Sequence, residues 1–214
     1  MAPPDDWKRA LDRLSSDITK TSKRAGLPFR KISDLVNTQE RYPELVPLLI
    51  DWLRNVEQKS GLTDARDLGN LRDGLARALT TIDATGTDAV PVLFDQFHTT
   101  PPMPEVNLYA VGNALEFLAG PADYDRMAAI GADRSHGSGR AEVLTWLMKQ
   151  GLPEGLQIAL DQLDDPSVRS QIIQDLRKVK PLPHGLRPRI EQYLDDPDSE
   201  VRKQAKATLK KLPE

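Results

Sequence analysis

The stretch LPHGLRPRIEQYLDDPDSEVRKQAKATLKKL, residues 182–212, decides the fold. It reads as an apolar-striped segment, an Asp-Asp-Pro turn and a second apolar-striped segment. LPEGLQIALDQLDDPSVRSQIIQDLRKV, residues 152–179, repeats it with the same Leu-Pro entry, the same turn and the same Val-Arg start. Val201, Ala205, Leu209 and Leu212 recur 33 residues earlier as Val168, Ile172, Leu176 and Val179. Their spacings of 4, 4 and 3 place each set on one helical stripe.

Working outward, the Ala205 position maps to Ile172, Val143, Ala110 and Gly74, and the Leu209 position to Leu176, Leu147, Ala114 and Ala78. This register predicts second helices near 67–82, 105–118, 138–150, 167–179 and 199–212. First helices fall near 43–56, 87–97, 122–131, 154–163 and 184–194. Pro47, Pro91 and Pro188 recur at one place in the first helices. An interior Pro costs a helix about 3 kcal/mol, so a shared first-turn or bent position is expected. Asp165-Pro166 and Asp196-Pro197 read as a carboxylate N-cap followed by Pro at the first helical position. Strand signals are missing: no β-branched alternation and no Asn-Gly hairpin. Residues 5–20 form a further amphipathic helix with Trp7, Leu11, Leu14 and Ile18 on one face, and a short helix is expected around Ile32–Val36.

These residues resemble HEAT repeats, in the short form also seen in phycobilisome-lyase-type HEAT proteins. The likeness rests on the Asp-Asp-Pro turn with Val-Arg after it at 164–179 and 195–212. It rests more loosely on HGSGRAEVLTWLMK at 136–149 and VNLYAVGNALEFL at 106–118. The resemblance implies an all-α solenoid of about five antiparallel helix pairs, with second helices lining a concave face. Residues 1–41 would be an N-terminal capping helix and basic linker, and 42–214 one continuous solenoid. A helix pair of about 30 residues cannot bury its stripe alone, so stacking of neighbours is required on physical grounds too.

Composition narrows the function classes. The 214 residues are 39% hydrophobic and 29% charged, enough for a core under a solvated surface, and no apolar run approaches the roughly 18 residues of a membrane span. With no cysteine, thiolate metal sites and cysteine nucleophiles are excluded. MAPPDDWKRA has no apolar stretch after its first charges, so a cytoplasmic protein without a secretory signal is expected. The net charge is −3, yet residues 1–41 and 199–214 each carry a surplus of three positive charges around an acidic middle. That balance counts against a nucleic-acid groove.

Arg140, Arg169 and Arg202 occupy one column in the first turns of second helices, where arginine opposes the helix dipole and calls for an anion. Asp133, Asp165 and Asp196 in the preceding turns supply it in one reading, and the resembled family implies such a structural ladder. A phosphate or carboxylate ligand supplies it in the other. His98, His136 and His184 stand in different turns with no metal-ligand spacing, so no metal is expected. The segment DRSHGSGR, 133–140, holds Asp, Ser, His and Arg together, but contiguous residues on one turn rarely make a triad, and a plain inter-helix turn accounts for it. Lys20, Lys23, Arg24, Arg30 and Lys31 form a run without an acid between Asp17 and Asp34; it reads as a linker or as a phosphate-tracking loop. One column across the second helices reads Arg77, Asn113, Trp146, Asp175 and Thr208, rimmed by Glu116 and Lys149. It either faces the groove as an interface, where Trp and Arg commonly anchor binding, or is filled by packing, Trp146 closing a gap left by Gly112.

The first expectation is a non-enzymatic scaffold or adaptor that binds a protein or peptide in its concave groove, with no cofactor, no nucleic acid and no membrane. Two other readings stay open: a DNA-repair-like nucleic-acid binder, and a lyase-type chaperone for a prosthetic group.

Overall fold

A computed structural model describes residues 4–180 and 185–212. Among them the chain is all helical, with twelve α-helices joined by short 3-10 turns and no strand. It divides into two compact units, residues 1–119 and 120–214.

In the first unit, α1 (Pro4–Ala25) runs five residues past its expected end and buries Ala10, Leu14 and Ile18; Trp7 and Leu11 are only partly covered. It packs on α3 (Val56–Ser60) and on the 3-10 turn Pro43–Leu45, and its Asp17 accepts a 3.0 Å bond from Trp52 Nε1 on α2 (Val46–Arg54). Helix α4 (Ala65–Leu79) starts at Asp64, whose carboxylate accepts from the amides of Arg66 and Asp67. Helix α5 (Ala89–Asp95) and α6 (Glu105–Leu118) complete the unit. Helices α2 and α5 pack together, α4 lies beside α6, and each of α4 and α6 covers the preceding helix of its pair. Alternate helices therefore share a layer, as two stacked stripes require. Gly69 permits the α4–α6 approach: a Cβ there would stand 2.8 Å from both Asn107 Oδ1 and Pro104 Cδ.

The second unit repeats the plan with α7 (Tyr124–Ala132), α8 (Ala141–Lys149), α9 (Pro153–Leu160), α10 (Arg169–Asp175), α11 (Leu186–Glu191) and α12 (Ser199–Leu209). Helices α8, α10 and α12 stack in sequence; α7 packs on α8 and α9, and α11 on α12. Val168, Ile172, Leu176 and Val179 are buried, and so are Val201, Ala205 and Leu212 of the equivalent stripe. Within each unit sequential helices form a helical array.

The expected proline position holds. Pro47, Pro91 and Pro188 all lie within the first three residues of α2, α5 and α11, where a missing amide leaves no intrahelical bond unmade. One expectation needs correction. The carboxylates of Asp165 and Asp196 do not cap helix starts: each closes a turn, on the amide of Ser167 and of Asp198, and α10 and α12 begin at Arg169 and Ser199. Helix α1 buries its stripe within the first unit, and the boundary falls after Ala119.

Gly155 brings α9 against the end of α8, since a Cβ there would meet the Leu147 carbonyl oxygen at 2.7 Å and Tyr124 Oη at 3.0 Å. Backbone cannot step aside as a side-chain tip can. Gly155→Ala is expected to cost about 1–3 kcal/mol of stability in urea titration. Gly120→Ala, with nothing within 4 Å of its added carbon, should be close to neutral and serves as the control.

Candidate functional site

The arginine column is a ladder, but it runs forward rather than back. Arg140, fully buried, donates to the Gly131 carbonyl at 2.8 Å and Gln162 Oε1 at 3.0 Å, and forms an ion pair with Asp165 of the following helix pair. Arg169 does the same one step on: it meets Asp196 at 2.8 Å and donates to the carbonyls of Leu163 and Asp164, both at 2.7 Å. Its guanidinium also lies over the Tyr193 ring. Arg202 donates to the carbonyls of Asp196 and Pro197 at 2.6 and 2.9 Å. Asp133 takes no such rung; its Oδ1 accepts the amide of Ser135, and those hydrogen bonds hold its carboxyl below the usual value. The carboxylates that answer Arg140 and Arg169 thus come from within the fold.

The segment 133–140 is absorbed by the same packing. It forms a 3-10 stretch broken at Gly137, whose φ of +51° suits glycine, with His136 buried and Arg140 engaged in the ladder. His98 is exposed at the end of the 3-10 turn Gln96–His98, and His184 lies outside the described residues. Among the described residues no three His, Asp or Glu side chains gather as metal ligands would, and no helix is long and apolar enough to cross a membrane.

The second-helix column divides. In the second unit its members are inside: Trp146 is 4% exposed and packs on Tyr124 with ring centroids 6.2 Å apart. Asp175 is 2% exposed and accepts from Thr145 at 2.5 Å and Gln171 at 2.7 Å, with Lys178 Nζ at 2.6 Å. Thr208 donates to the Ile173 carbonyl at 2.7 Å. Trp146 and Asp175 therefore line no open groove; helix-to-helix packing occupies them. Lys149, three residues after Trp146, is exposed.

In the first unit the column opens to solvent. Arg77 is exposed on α4, paired bidentately with Asp73 at 2.7 and 3.2 Å, and Asp73 raises the guanidinium pKa. Asn113 and Glu116 are half-buried on α6. Arg77 and Asn113 line one cleft of about 450 Å³, together with Ile82, Phe117 and the segment 35–42. The wall is anchored. Tyr42 is buried edge-on against Phe29 at 5.6 Å, and its hydroxyl lies 2.8 Å from the Ala78 carbonyl and 3.1 Å from that of Leu35. Its amide donates to Asp83 at 2.7 Å, and Arg41 pairs with the same carboxylate. Asn37 turns the wall with a φ of +60°, a conformation asparagine tolerates better than most residues.

Beside the cleft, α6 exposes Val106 (75%), Tyr109 (41%) and Phe117 (50%). With Asn113 they form one outward stripe at spacings of 3, 4 and 4. The column found Asn113 but missed these three. The signal was present: VNLYAVGNALEFL is apolar on nearly every side, and such a helix must be covered on all of them or offer a binding face.

Acid should loosen the second unit in a defined window. Burial works to raise the carboxyl pKa of Asp165 and Asp175, but it is outweighed. Ser167 and Arg140 hold Asp165 below the ordinary value, and Lys178, Thr145 and Gln171 do so for Asp175. A carboxylate depressed in the fold contributes stability above its unfolded value near 3.9 and loses it as pH falls through the folded one. The urea midpoint should therefore hold from about pH 7 to about pH 5 and drop below about pH 4. Asp175→Asn is expected to lower the midpoint at neutral pH and flatten that drop. Asp165→Ala, which strands a buried guanidinium, should cost about 3–5 kcal/mol at neutral pH.

No family model matches the chain, and neither does any curated protein or solved structure.

Proposed function

We propose that this chain is a HEAT-like α-solenoid that acts as a scaffold or adaptor and binds a protein or peptide segment. The stripe of α6 beside the 450 Å³ cleft carries the reading. Three large apolar side chains on one exposed helix face, next to a preformed cleft with an arginine at its lip, match the aromatic and arginine anchors of protein interfaces. The solenoid part of the reading draws support from the 33-residue register and from Arg140 and Arg169, each linking one helix pair to the next. The Asp-Ser-His-Arg segment of residues 133–140 is engaged within the fold, Asp133 capping its turn and Arg140 joining the ladder.

Selection of a displayed random-peptide library on the purified chain tests this. The expected result is a family of enriched peptides with an apolar or aromatic anchor, bound in the micromolar range and weakened about tenfold or more by Phe117→Ser or Tyr109→Ser. Unchanged melting temperature in both variants would confirm that the loss is one of contact. Absence of enrichment, or enriched peptides indifferent to both substitutions, would overturn the proposal.

A further inference from the structure

The basic run at the end of α1 is no slack linker. Lys20, Lys23 and Arg24 lie in the last turns of α1, where cations complement the helix dipole. The chain then folds back. Thr19 Oγ1 donates to the Arg30 carbonyl at 3.1 Å, which sets Arg30 and Lys31 beside the same end of the helix. Asp34 accepts the amides of Arg30 and Lys31 at 2.9 and 3.1 Å, and Phe29 is buried against Tyr42. All five cations are exposed, and the Thr19 bond holds the backbone that carries Arg30 and Lys31 against the last turns of α1. Asp17 and Asp34 flank the run and keep their charge while accepting from Trp52 and from two backbone amides, so five cations stand against two carboxylates. Asp12 lies two turns back along the helix, and Glu40 is beyond the following 3-10 turn.

That surface adjoins the cleft. From Lys31 a single 3-10 turn, Ile32–Asp34, leads to Leu35, the first residue of the cleft wall, and Ile32 packs towards Gly74 of α4. A turn of this kind advances about 6 Å, the span of two or three residues of an extended peptide.

Resting on the peptide-binding reading above, we infer that the partner is an extended protein segment whose apolar anchor enters the cleft and whose acidic stretch begins two or three residues away, against Lys20, Lys23, Arg24, Arg30 and Lys31. Charge complementarity selects an acidic segment. The rest of the chain is net negative, so a long nucleic-acid duplex laid across the patch meets repulsion beyond it, whereas a short acidic peptide does not.

The test uses the full chain and fluorescent synthetic probes. One is a peptide with Trp-Leu placed two residues from a run of five glutamates, made in both chain directions. A second has the glutamates replaced by glutamine, and a third is a duplex DNA of about 20 base pairs. The acidic peptide is expected to bind about tenfold or more tighter than its glutamine counterpart. That advantage should vanish as salt rises from about 0.05 to about 0.5 M. It should also vanish in K20Q/K23Q/R24Q/R30Q/K31Q, while Phe117→Ser weakens both peptides alike. Equal binding of acidic and glutamine peptides, or an advantage that survives neutralisation, overturns the inference and leaves the peptide-binding reading standing. Tighter binding of the duplex, lost in the neutralised variant, overturns it in favour of nucleic acid. Library selection that yields no Phe117-dependent peptide removes the reading beneath it.

Discussion

A buried guanidinium, that of Arg140, sets the spacing on which the second unit is built. Two amphipathic helices joined by a short turn leave an apolar flank on each side, and only another pair can cover it. Apolar stripes slide, because one leucine packs much like the next. A guanidinium buried at the start of α8 does not slide: it accepts only the position that delivers a carboxylate, and Asp165 stands one helix pair away. The same step brings Asp196 to Arg169. Such ion pairs add little net stability once desolvation is counted, but a misregistered neighbour would leave a charge buried alone, at a cost of several kcal/mol. The ladder specifies register, and the leucines and isoleucines around it supply the cohesion.

This division of labour explains what was legible in the sequence. The helices could be placed because their apolar positions recur at helical spacing, and the prolines confirmed the starts of α2, α5 and α11. The expected caps at Asp165 and Asp196 stood three and two residues too early, because Asp-Pro looks the same at an N-cap and in a tight turn. What separates the two is the arginine a helix pair away, a contact that no local pattern contains. Trp146 and Asp175 illustrate the converse. A large or charged side chain amid small ones reads as a binding residue, yet one fills space against Tyr124 and the other is satisfied by Thr145, Gln171 and Lys178. Burial is a property of the neighbours, and the neighbours come from distant stretches of chain.

The first unit shows the opposite arrangement at equivalent positions. Arg77 and Asn113 belong to the same column as Trp146 and Asp175, but they border a cleft. The difference lies in what surrounds them. The segment 35–42, pinned by Tyr42 and Asp83, forms a wall across from α6, and α6 keeps apolar residues on its outward side. Polar residues on that side would have satisfied the fold equally well, because the core of α6 is already supplied by Leu108, Val111, Ala114, Leu115 and Leu118. Val106, Tyr109 and Phe117 gain nothing from solvent exposure. Packing within the unit leaves all three exposed on that side, where the proposed segment would meet them.

The basic hairpin after α1 follows the same logic with charge in place of apolar area. Five cations concentrated on one face repel one another, and a helix C-terminus offsets only part of that repulsion. The chain nevertheless spends Thr19, Phe29 and Asp34 on folding Arg30 and Lys31 back towards Lys20 and Lys23. An extended linker would keep these charges apart but would expose Phe29. Within the unit the helix C-terminus, the Asp34 carboxylate and the burial of Phe29 hold the hairpin against that repulsion. The exposed stripe of α6 and the basic hairpin are the two features that the proposed segment, with its apolar anchor and acidic flank, would engage together.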